Sequence, residues 1–199
     1  MSGVVIIDNG GGNVASVRYA LGRLGVAAEV TVDAAIIRAA TRVILPGVGA
    51  AGDAMRRLRA AGLDALIPTL RQPVLGICLG MQLLFESSAE GDTPCLGVVP
   101  GRVAGLPRGP GLRVPHMGWT RLAPTRPSPL LAGIGTEGYA YFVHSYAAPL
   151  GPWTVATADH GGPFTAVVNH GNFHGAQCHP ERSGATGARL LHNFLELDG

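Results

Sequence analysis

The chain has 199 residues, with 15 Lys and Arg against 13 Asp and Glu, and a formal net charge of +2 at pH 7. Hydrophobic residues make up 47% of it and charged residues 14%, which allows a substantial buried core but lacks the broad basic field that attracts nucleic acid. Because the seven histidines are not clustered at metal-ligand spacing, we expect one domain over residues 1–199 with no metal, no cofactor and no nucleic-acid partner.

Short β-branched runs alternate with segments of helical periodicity through residue 86. The β-branched runs predict buried strands at residues 4–7, 26–32, 43–45 and 74–77. The periodic segments predict helices at residues 14–24, 53–61, 64–70 and 79–86. Gly25 is placed to end the first helix, and Asp53 and Asp64 are suited to be the N-caps of the second and third. A glycine-rich turn is predicted at residues 10–13.

From about residue 95 helical periodicity fades, and Pro and Gly become frequent. The pattern predicts a final helix at residues 186–197 and short strands at residues 113–114, 139–143, 153–158, 164–168 and 173–178. The fold class that fits both halves is α/β, a doubly wound, mixed and mostly parallel sheet with helices on both faces and an antiparallel or mixed extension. Functional sites in such sheets lie at the carboxyl ends of strands, which directs attention to the glycine-bearing junctions after Ile7, Leu45 and Ile77.

Cysteine usage and hydropathy bear on the compartment. The three cysteines, Cys78, Cys95 and Cys178, are odd in number and lack CxxC spacing, which argues against a disulfide framework or a zinc site. The first residues do not read as a signal peptide, and no stretch reaches the roughly 18 apolar residues of a membrane span. We therefore expect a cytoplasmic protein without a membrane partner.

Cys78 lies between a predicted strand and a predicted helix, with Gly76 and Gly80 two residues away on either side. Glycines at these positions let the backbone turn tightly, which is the logic of a nucleophile elbow with Cys in place of Ser. The start of the following helix would favour the reactive thiolate. The alternative is that Cys78 is a small buried apolar residue.

A base for this thiol is predicted in the segment that follows the last strand. His179 ends the strand, and Pro180 turns the chain so that the Glu181 carboxylate can orient the imidazole, as the third member of a triad does. The alternative is a hydrogen-bonded histidine at a strand end beside a surface glutamate.

Two further features suit acyl transfer. The loop Gly47, Val48 and Gly49 follows a strand, and its amides, with that of Leu79, could form an oxyanion hole. Gln82 lies one helical turn after Cys78 and could bind an amino-acid substrate. The alternatives are an ordinary glycine turn and a surface glutamine.

These residues resemble a known family. The segment GICLGMQ and the later HPE are similar to those of the triad (class I) glutamine amidotransferases, whose domain is doubly wound α/β. Across nearly the whole chain the resemblance is closest to one subfamily, the glutaminase subunits of imidazole glycerol phosphate synthases of histidine biosynthesis. It is carried by the segments DNGGGNVASVRYAL, LPGVGAAGDAM, PHMGW, YFVHSY and HPERSG.

The resemblance implies roles for individual residues. Cys78 would be the nucleophile, His179 the base and Glu181 its partner, with Gly47 to Gly49 as the oxyanion strand. The α-amino and carboxylate groups of glutamine would be held by Gln82, His144, Ser145 and Tyr146. The face that meets a synthase (cyclase) subunit in a heterodimer, where ammonia leaves, would contain Asn13, Trp119, Tyr141 and Arg182.

Sequence alone favours core packing for Trp119 and Tyr141. The chain also departs from the family pattern outside the triad. Thr120 stands where Asn is usual, Cys178 where an aromatic residue is usual, and Arg182 where Lys is common. Since Cys178 alternates away from His179 along the strand, we expect it to be a core residue and not a second nucleophile.

The implied activity is hydrolysis of glutamine through a Cys78 thioester. The ammonia would pass to the cyclase subunit, which makes imidazole glycerol phosphate and aminoimidazole carboxamide ribotide, and the isolated chain would be nearly inactive. Three alternatives remain: a glutaminase of another synthase, such as that for pyridoxal phosphate, a stand-alone cysteine hydrolase of γ-glutamyl peptides, and a binding domain without catalysis.

Overall fold

The computed structural model describes residues 3–11 and 13–198, so Gly12 of the predicted glycine-rich turn lies outside the described residues. The helices are α1 (Val14–Arg23), α2 (Ala34–Ala39), α3 (Ala51–Ala60), α4 (Leu63–Leu66), α5 (Leu79–Leu83) and α6 (Gly184–Leu195). The strands are β1 (Val4–Ile7), β2 (Ala28–Thr31), β3 (Arg42–Gly47), β4 (Val74–Cys78), β5 (Phe85–Ser88), β6 (Thr93–Pro94), β7 (Val99–Gly105), β8 (His116–Arg121), β9 (Ala123–Pro124), β10 (Tyr139–His144), β11 (Tyr146–Ala147), β12 (Thr154–Asp159), β13 (Pro163–His170) and β14 (Phe173–Ala176).

The central sheet has eight strands in the order β2-β1-β3-β4-β14-β13-β12-β9. The pairings from β2 through β14 are parallel, and those from β14 through β9 are antiparallel. The predicted fold class, including the antiparallel extension, is confirmed. Smaller sheets pair β10 with β8 and join β11, β7, β5 and β6.

Both faces of the sheet are buried, as the continuous β-branched runs predict. Along β1, Val4 and Ile6 join one apolar cluster, whereas Val5 and Ile7 join the other. Helices α1 and α6 cover the first face, and α2, α3 and α4 cover the second. Among residues 3–11 and 13–198, no helix combines the length and apolar character needed to cross a bilayer.

The predicted N-caps are wrong. Asp53 and Asp64 lie in the first turns of α3 and α4, whose N-caps are Ala50 and Gly62. The amide of Ala51 at the start of α3 instead donates a 2.8 Å hydrogen bond to the carboxylate of Glu90, which lies 39 residues away in sequence. Because this acceptor comes from a distant segment, no local sequence pattern indicates it.

The sequence did not predict helix α2. Its N-cap is Asp33, whose carboxylate accepts hydrogen bonds from the amides of Ala35 at 2.7 Å and Ile36 at 3.2 Å.

Two of the predicted elements are also altered. The helix predicted at residues 79–86 ends at Leu83, because the next residues form β5 and bury Phe85 against Trp153. The strand predicted at residues 113–114 is absent from the described structure, and β8 begins at His116 directly after Pro115, which cannot donate a ladder hydrogen bond.

Candidate active site

Cys78 adopts a backbone conformation that non-glycine residues rarely take. Its φ of 53° and ψ of −111° lie at the junction of β4 and α5, where such strain persists only if the surrounding structure enforces it. The side chain is 6% exposed and faces a cavity. The strained strand-to-helix turn expected from the glycine pattern is therefore present. Helix α5 has only five residues, so a long helix dipole is not available to the thiol.

Three backbone segments in close contact enforce this conformation of Cys78. A Cβ atom on Gly76 would lie 2.7 Å from the carbonyl oxygen of Gly80, and one on Gly47 would lie 2.6 Å from the amide nitrogen of Gly80. A Cβ atom on Gly80 itself would overlap with the carbonyl oxygen of Leu45. Only glycine fits at these positions, because β3, β4 and α5 approach each other without intervening side chains.

The sheet register brings the predicted base to this turn. Strand β14 is parallel to β4, with Ala176 opposite Ile77. The chain therefore leaves the sheet beside Cys78, and His179 lines the same cavity as Cys78, with its imidazole close enough to interact electrostatically with the sulfur. A 3₁₀ turn at Pro180–Arg182 follows, as the proline predicts, and the Nδ1–H of His179 donates a 2.8 Å hydrogen bond to Glu181 Oε1. This contact leaves the Nε2 atom of His179 for the sulfur.

The three groups shift one another's ionisation. Burial disfavours the imidazolium of His179, but hydrogen bonds and charges from Cys78 and Glu181 outweigh it and raise its pKa to about 10. Burial likewise opposes ionisation of Glu181, yet the hydrogen bonds from His179 and Asn13 hold the pKa of its carboxyl below the usual range. The histidine is therefore an imidazolium at neutral pH, paired with the Glu181 carboxylate on one side and facing the Cys78 sulfur on the other.

Asn13 is a further hydrogen-bond partner of Glu181. It has a left-handed backbone with a φ of 82° at the N-cap position of α1, but its side chain makes no capping bond. The Nδ2 atom instead donates a 2.7 Å hydrogen bond to Glu181 Oε1 and lies 3.3 Å from His179 Nδ1. The other carboxylate oxygen, Glu181 Oε2, is buried and has no partner among the described residues. Asn13 therefore holds the orienting carboxylate in place.

A cavity of about 260 Å³ lies above the sulfur. Most of the residues predicted to act on a substrate line it, namely Cys78, His179, Val48, Gly49, Leu79, Gln82, His144, Ser145 and Tyr146. Gly47 departs from the prediction, since it pairs with Cys78 in the sheet and packs under Leu79 and Gly80 instead of lining the cavity. The sequence did not indicate Glu90, Pro115 and Val143, which also line it.

Gln82 and His144 share one acceptor, the carbonyl oxygen of Tyr146. The Gln82 Nε2 atom donates to it at 2.7 Å, and His144 Nδ1–H donates at 2.9 Å. The surface alternative for Gln82 is therefore wrong, because its side chain is buried and hydrogen-bonded.

His144 is neutral, since burial lowers its pKa to about 4. Its free nitrogen accepts from His116 Nδ1–H at 3.1 Å, and Thr120 donates its hydroxyl to the other nitrogen of His116 at 2.9 Å. Burial also lowers the pKa of His116 to about 4. Thr120, one of the departures from the family pattern, thus completes a hydrogen-bonded chain that ends at the cavity wall.

A second cavity, of about 340 Å³, shares Val48, Val143 and His179 with the first. Asn13, Tyr141 and Arg182, three of the four residues predicted at the partner face, line it. The fourth, Trp119, is 55% exposed and packs edge-on against Tyr141 at 5.9 Å between ring centroids. The core-packing alternative for Trp119 is therefore wrong.

The remaining cysteines differ from Cys78. Cys178 is buried in the apolar cluster that α1 and α6 cover, as its alternation with His179 predicts. Burial raises the pKa of its thiol far above the usual range. Burial also raises the pKa of Cys95, to about 11. Both thiols are therefore protonated at neutral pH.

Known proteins are similar to this chain in sequence and in fold. The sequence profile of the family described as Glutamine amidotransferase class-I matches residues 5–197. The chain is 61% identical over 197 residues to the imidazole glycerol phosphate synthase subunit HisH of Xanthomonas oryzae pv. oryzae (strain MAFF 311018), covering 99% of this chain and 98% of that protein. It is 59% identical over 198 residues to the subunit HisH of Xylella fastidiosa (strain Temecula1 / ATCC 700964), covering 100% and 99%.

Solved structures show the same fold at lower identity. A glutamine amidotransferase crystal structure aligns with a TM-score of 0.76 and 21% identity, covering 97% of each chain. A second glutamine amidotransferase, from Thermotoga maritima, aligns with a TM-score of 0.65 and 18% identity, covering 96% of this chain and 81% of the other.

We predict that Gly80→Ala destabilises the protein by about 3 kcal/mol or more, because the added methyl group overlaps with the backbone of β3. Gly22→Ala is the matched control. It lies in α1 with open space around its Cβ position, and we expect it to add about 0.5–1 kcal/mol of stability. Chemical denaturation measures both. A Gly80→Ala variant as stable as wild type would contradict the packing described.

We also predict that Glu181→Gln lowers the melting temperature most between about pH 5 and 6.5. The pKa of His179 is raised on folding, so its stabilisation is complete below the unfolded value of about 6.5 and is lost as pH rises through about 10. The pKa of Glu181 is lowered, so its contribution holds above 4.5 and is lost in acid.

Thermal unfolding of wild type and Glu181→Gln from pH 4 to pH 10 measures the difference between their melting temperatures. The exposed Glu29 on β2 provides the control, and Glu29→Gln should show no such pH window. A melting-temperature difference between wild type and Glu181→Gln that is constant across the range would argue against the ion pair.

Proposed function

Because the chain belongs to the class-I glutamine amidotransferase family, we propose that it is the glutaminase subunit of an imidazole glycerol phosphate synthase. It hydrolyses glutamine to glutamate and ammonia and delivers the ammonia to a cyclase partner in histidine biosynthesis. The observation that carries this proposal is that Cys78 and His179 line one cavity, while Glu181 accepts a hydrogen bond from the His179 ring. The full-length similarity to two HisH subunits supports the choice of synthase.

The first half of the reaction is acylation of Cys78. The thiolate attacks the side-chain carbonyl carbon of glutamine, and the carbon–sulfur bond forms as the carbonyl oxygen becomes an oxyanion. Val48, Gly49 and Leu79 line the cavity, and their backbone amides are the candidate donors to this oxygen. The imidazolium of His179 then protonates the amide nitrogen, the carbon–nitrogen bond breaks, and ammonia leaves a γ-glutamyl thioester.

The second half releases glutamate. His179, now neutral, accepts a proton from a water molecule as the water attacks the thioester. The tetrahedral intermediate collapses, the carbon–sulfur bond breaks, and the Cys78 thiolate and the imidazolium are restored. The sum is one glutamine and one water converted to one glutamate and one ammonia.

Glutamine is recognised by the polar groups on the cavity wall. Gln82 directs its Nε2 atom to the carbonyl of Tyr146, so its Oε1 atom is the part free to accept from the α-ammonium group. Glu90 adds a carboxylate to the same wall, and within the described residues this carboxylate accepts only from the Ala51 amide, through its Oε2 atom. The neutral His144 cannot pair as a cation with the α-carboxylate, so we assign it the role of fixing the Tyr146 backbone.

The partner is a cyclase subunit, with which the chain forms a heterodimer. Ammonia produced at Cys78 is released beside His179, which also lines the cavity formed with Asn13, Tyr141 and Arg182. The exposed Trp119 next to Tyr141 supports this side of the molecule as the docking face. The free cysteines support a cytoplasmic location.

We predict that Cys78→Ala lowers glutamate release in the assembled complex by at least about 10³-fold, because neither Cys95 nor Cys178 lines the cavity to form the thioester in its place. The matched control is Cys178→Ala, whose buried thiol is protonated, and we expect its rate to stay within about threefold of wild type. The assay mixes the chain with the cyclase subunit and its ribotide substrate. Undiminished release by Cys78→Ala would end the proposal.

We further predict that the isolated chain is nearly inactive and that the cyclase subunit activates it. Since aromatic anchors carry much of the energy of an interface, Trp119→Ala should raise the dissociation constant of the pair by about 30-fold. Leu150 is exposed to a comparable extent, 49%, and Leu150→Ala serves as the control.

Titration calorimetry measures the dissociation constants. An unchanged value for Trp119→Ala would contradict the docking face. Rapid glutamine or γ-glutamyl peptide hydrolysis by the chain alone would favour the stand-alone hydrolase over an amidotransferase subunit.

A further inference from the structure

Gln177 is a buried polar residue beside the candidate nucleophile that the sequence did not single out. Its side chain is fully buried, 0% exposed, and its Nε2 atom lies 3.7 Å from the Sγ atom of Cys78. Sulfur is a large acceptor, so this separation is that of a hydrogen bond. The register of β14 with β4 explains the contact, because Gln177 follows the Ala176–Ile77 pair.

The orientation of this amide is determined by a backbone carbonyl. The oxygen of Tyr146 can only accept, so the Gln82 atom 2.7 Å from it is the amide nitrogen. The second hydrogen of that nitrogen points to an atom of Gln177 at 2.9 Å, which must then be the acceptor Oε1. The amide nitrogen of Gln177 is therefore the end that faces the sulfur.

The sulfur also has a contact that favours its protonated form. The Cys78 thiol lies 3.7 Å from the carbonyl oxygen of Val143, to which an S–H group can donate. A thiolate would be repelled by this oxygen and attracted to a donor. Ionisation of Cys78 thus depends on donors that outweigh the Val143 carbonyl, and the described structure offers the imidazolium of His179 and the amide of Gln177.

We propose that Gln177 is a further catalytic residue, whose amide N–H donates a hydrogen bond to the Cys78 sulfur and stabilises the thiolate that attacks glutamine. The bond is made to an ionised acceptor in a buried site, where such bonds are strongest. Gln82 strengthens it by donating to Gln177 Oε1, which polarises the amide. This inference rests on the proposed function and adds a third group, besides His179 and Glu181, to the machinery that prepares the nucleophile.

Gln177 differs from the titratable groups around the sulfur. His179 is the cation, with Glu181 behind it. Cys178 and His144 are neutral, and the carboxylate of Glu90 lies on the cavity wall. Because Gln177 does not titrate, its amide can donate to the sulfur at every pH. Removing this hydrogen bond therefore shifts the pH at which the Cys78 thiol ionises.

The test follows the rate of iodoacetamide alkylation of Cys78 against pH in the full chain, with the modified residue identified by peptide mass. Gln177→Met keeps the size of the side chain but removes the donor. We expect the pH at which its alkylation rate is half-maximal to rise by about one unit, which corresponds to the free energy of one hydrogen bond to an ionised group. Gln177→Glu preserves the acceptor for Gln82 and places a carboxyl group beside the sulfur, so its midpoint should move up further.

Either variant alone is sufficient, so a failure of Gln177→Met to fold does not block the test. The half-buried Cys95 is the internal control, and its alkylation rate should be the same in all proteins. A midpoint equal to that of wild type in a folded variant would overturn the proposal, even if that variant releases glutamate more slowly.

Alkylation reports on the sulfur alone and does not require a partner or glutamine. The proposed function is tested separately, by glutamate release from the wild-type complex. Absence of that activity would refute the glutaminase assignment without moving the alkylation midpoints, so the two failures are distinguishable.

Discussion

The site depends on one steric constraint, the contact of three backbones at the end of the sheet. Strands β3 and β4 and helix α5 come so close that Gly47, Gly76 and Gly80 have no room for a Cβ atom. This packing compels Cys78 to take a positive φ, and the sulfur is thereby held above the sheet edge. Every other group described at the cavity is positioned relative to that sulfur.

The groups that act on the sulfur come from a distant part of the chain, and the sheet explains how they reach it. The parallel pairing of β14 with β4 places residues 177–179 beside residue 78, so one segment supplies the Gln177 amide and the His179 imidazole. The Tyr146 carbonyl then fixes which atoms donate, through Gln82 on one side and His144 on the other. A single backbone oxygen therefore gives a direction to the polar network on both sides of the cavity.

Sequence patterns predicted the features that are local. The buried strands of the first half and the elbow glycines are encoded by neighbouring residues, as is the turn after His179. What the sequence did not predict depends on distant partners: the strand pairings of residues 85–105, the capping of α3 by Glu90 and the contact of Gln177 with Cys78. The exposure of Trp119 was misjudged for the same reason, because Trp119 lies on the outer face of the β8–β10 ribbon, whose other face buries Ala140 and Phe142.

The raised pKa of His179 has a consequence for the timing of the proposed reaction. Part of the increase comes from the negative charge and hydrogen bond of Cys78, and in the proposed reaction that charge disappears as soon as the sulfur bonds to the carbonyl carbon of glutamine. The imidazole then loses affinity for its proton at the stage when the leaving amide nitrogen needs one, and it remains unprotonated while a water molecule must be activated. In the proposed reaction, regeneration of the thiolate restores the original affinity, so the covalent state of the sulfur sets whether the histidine acts as acid or as base.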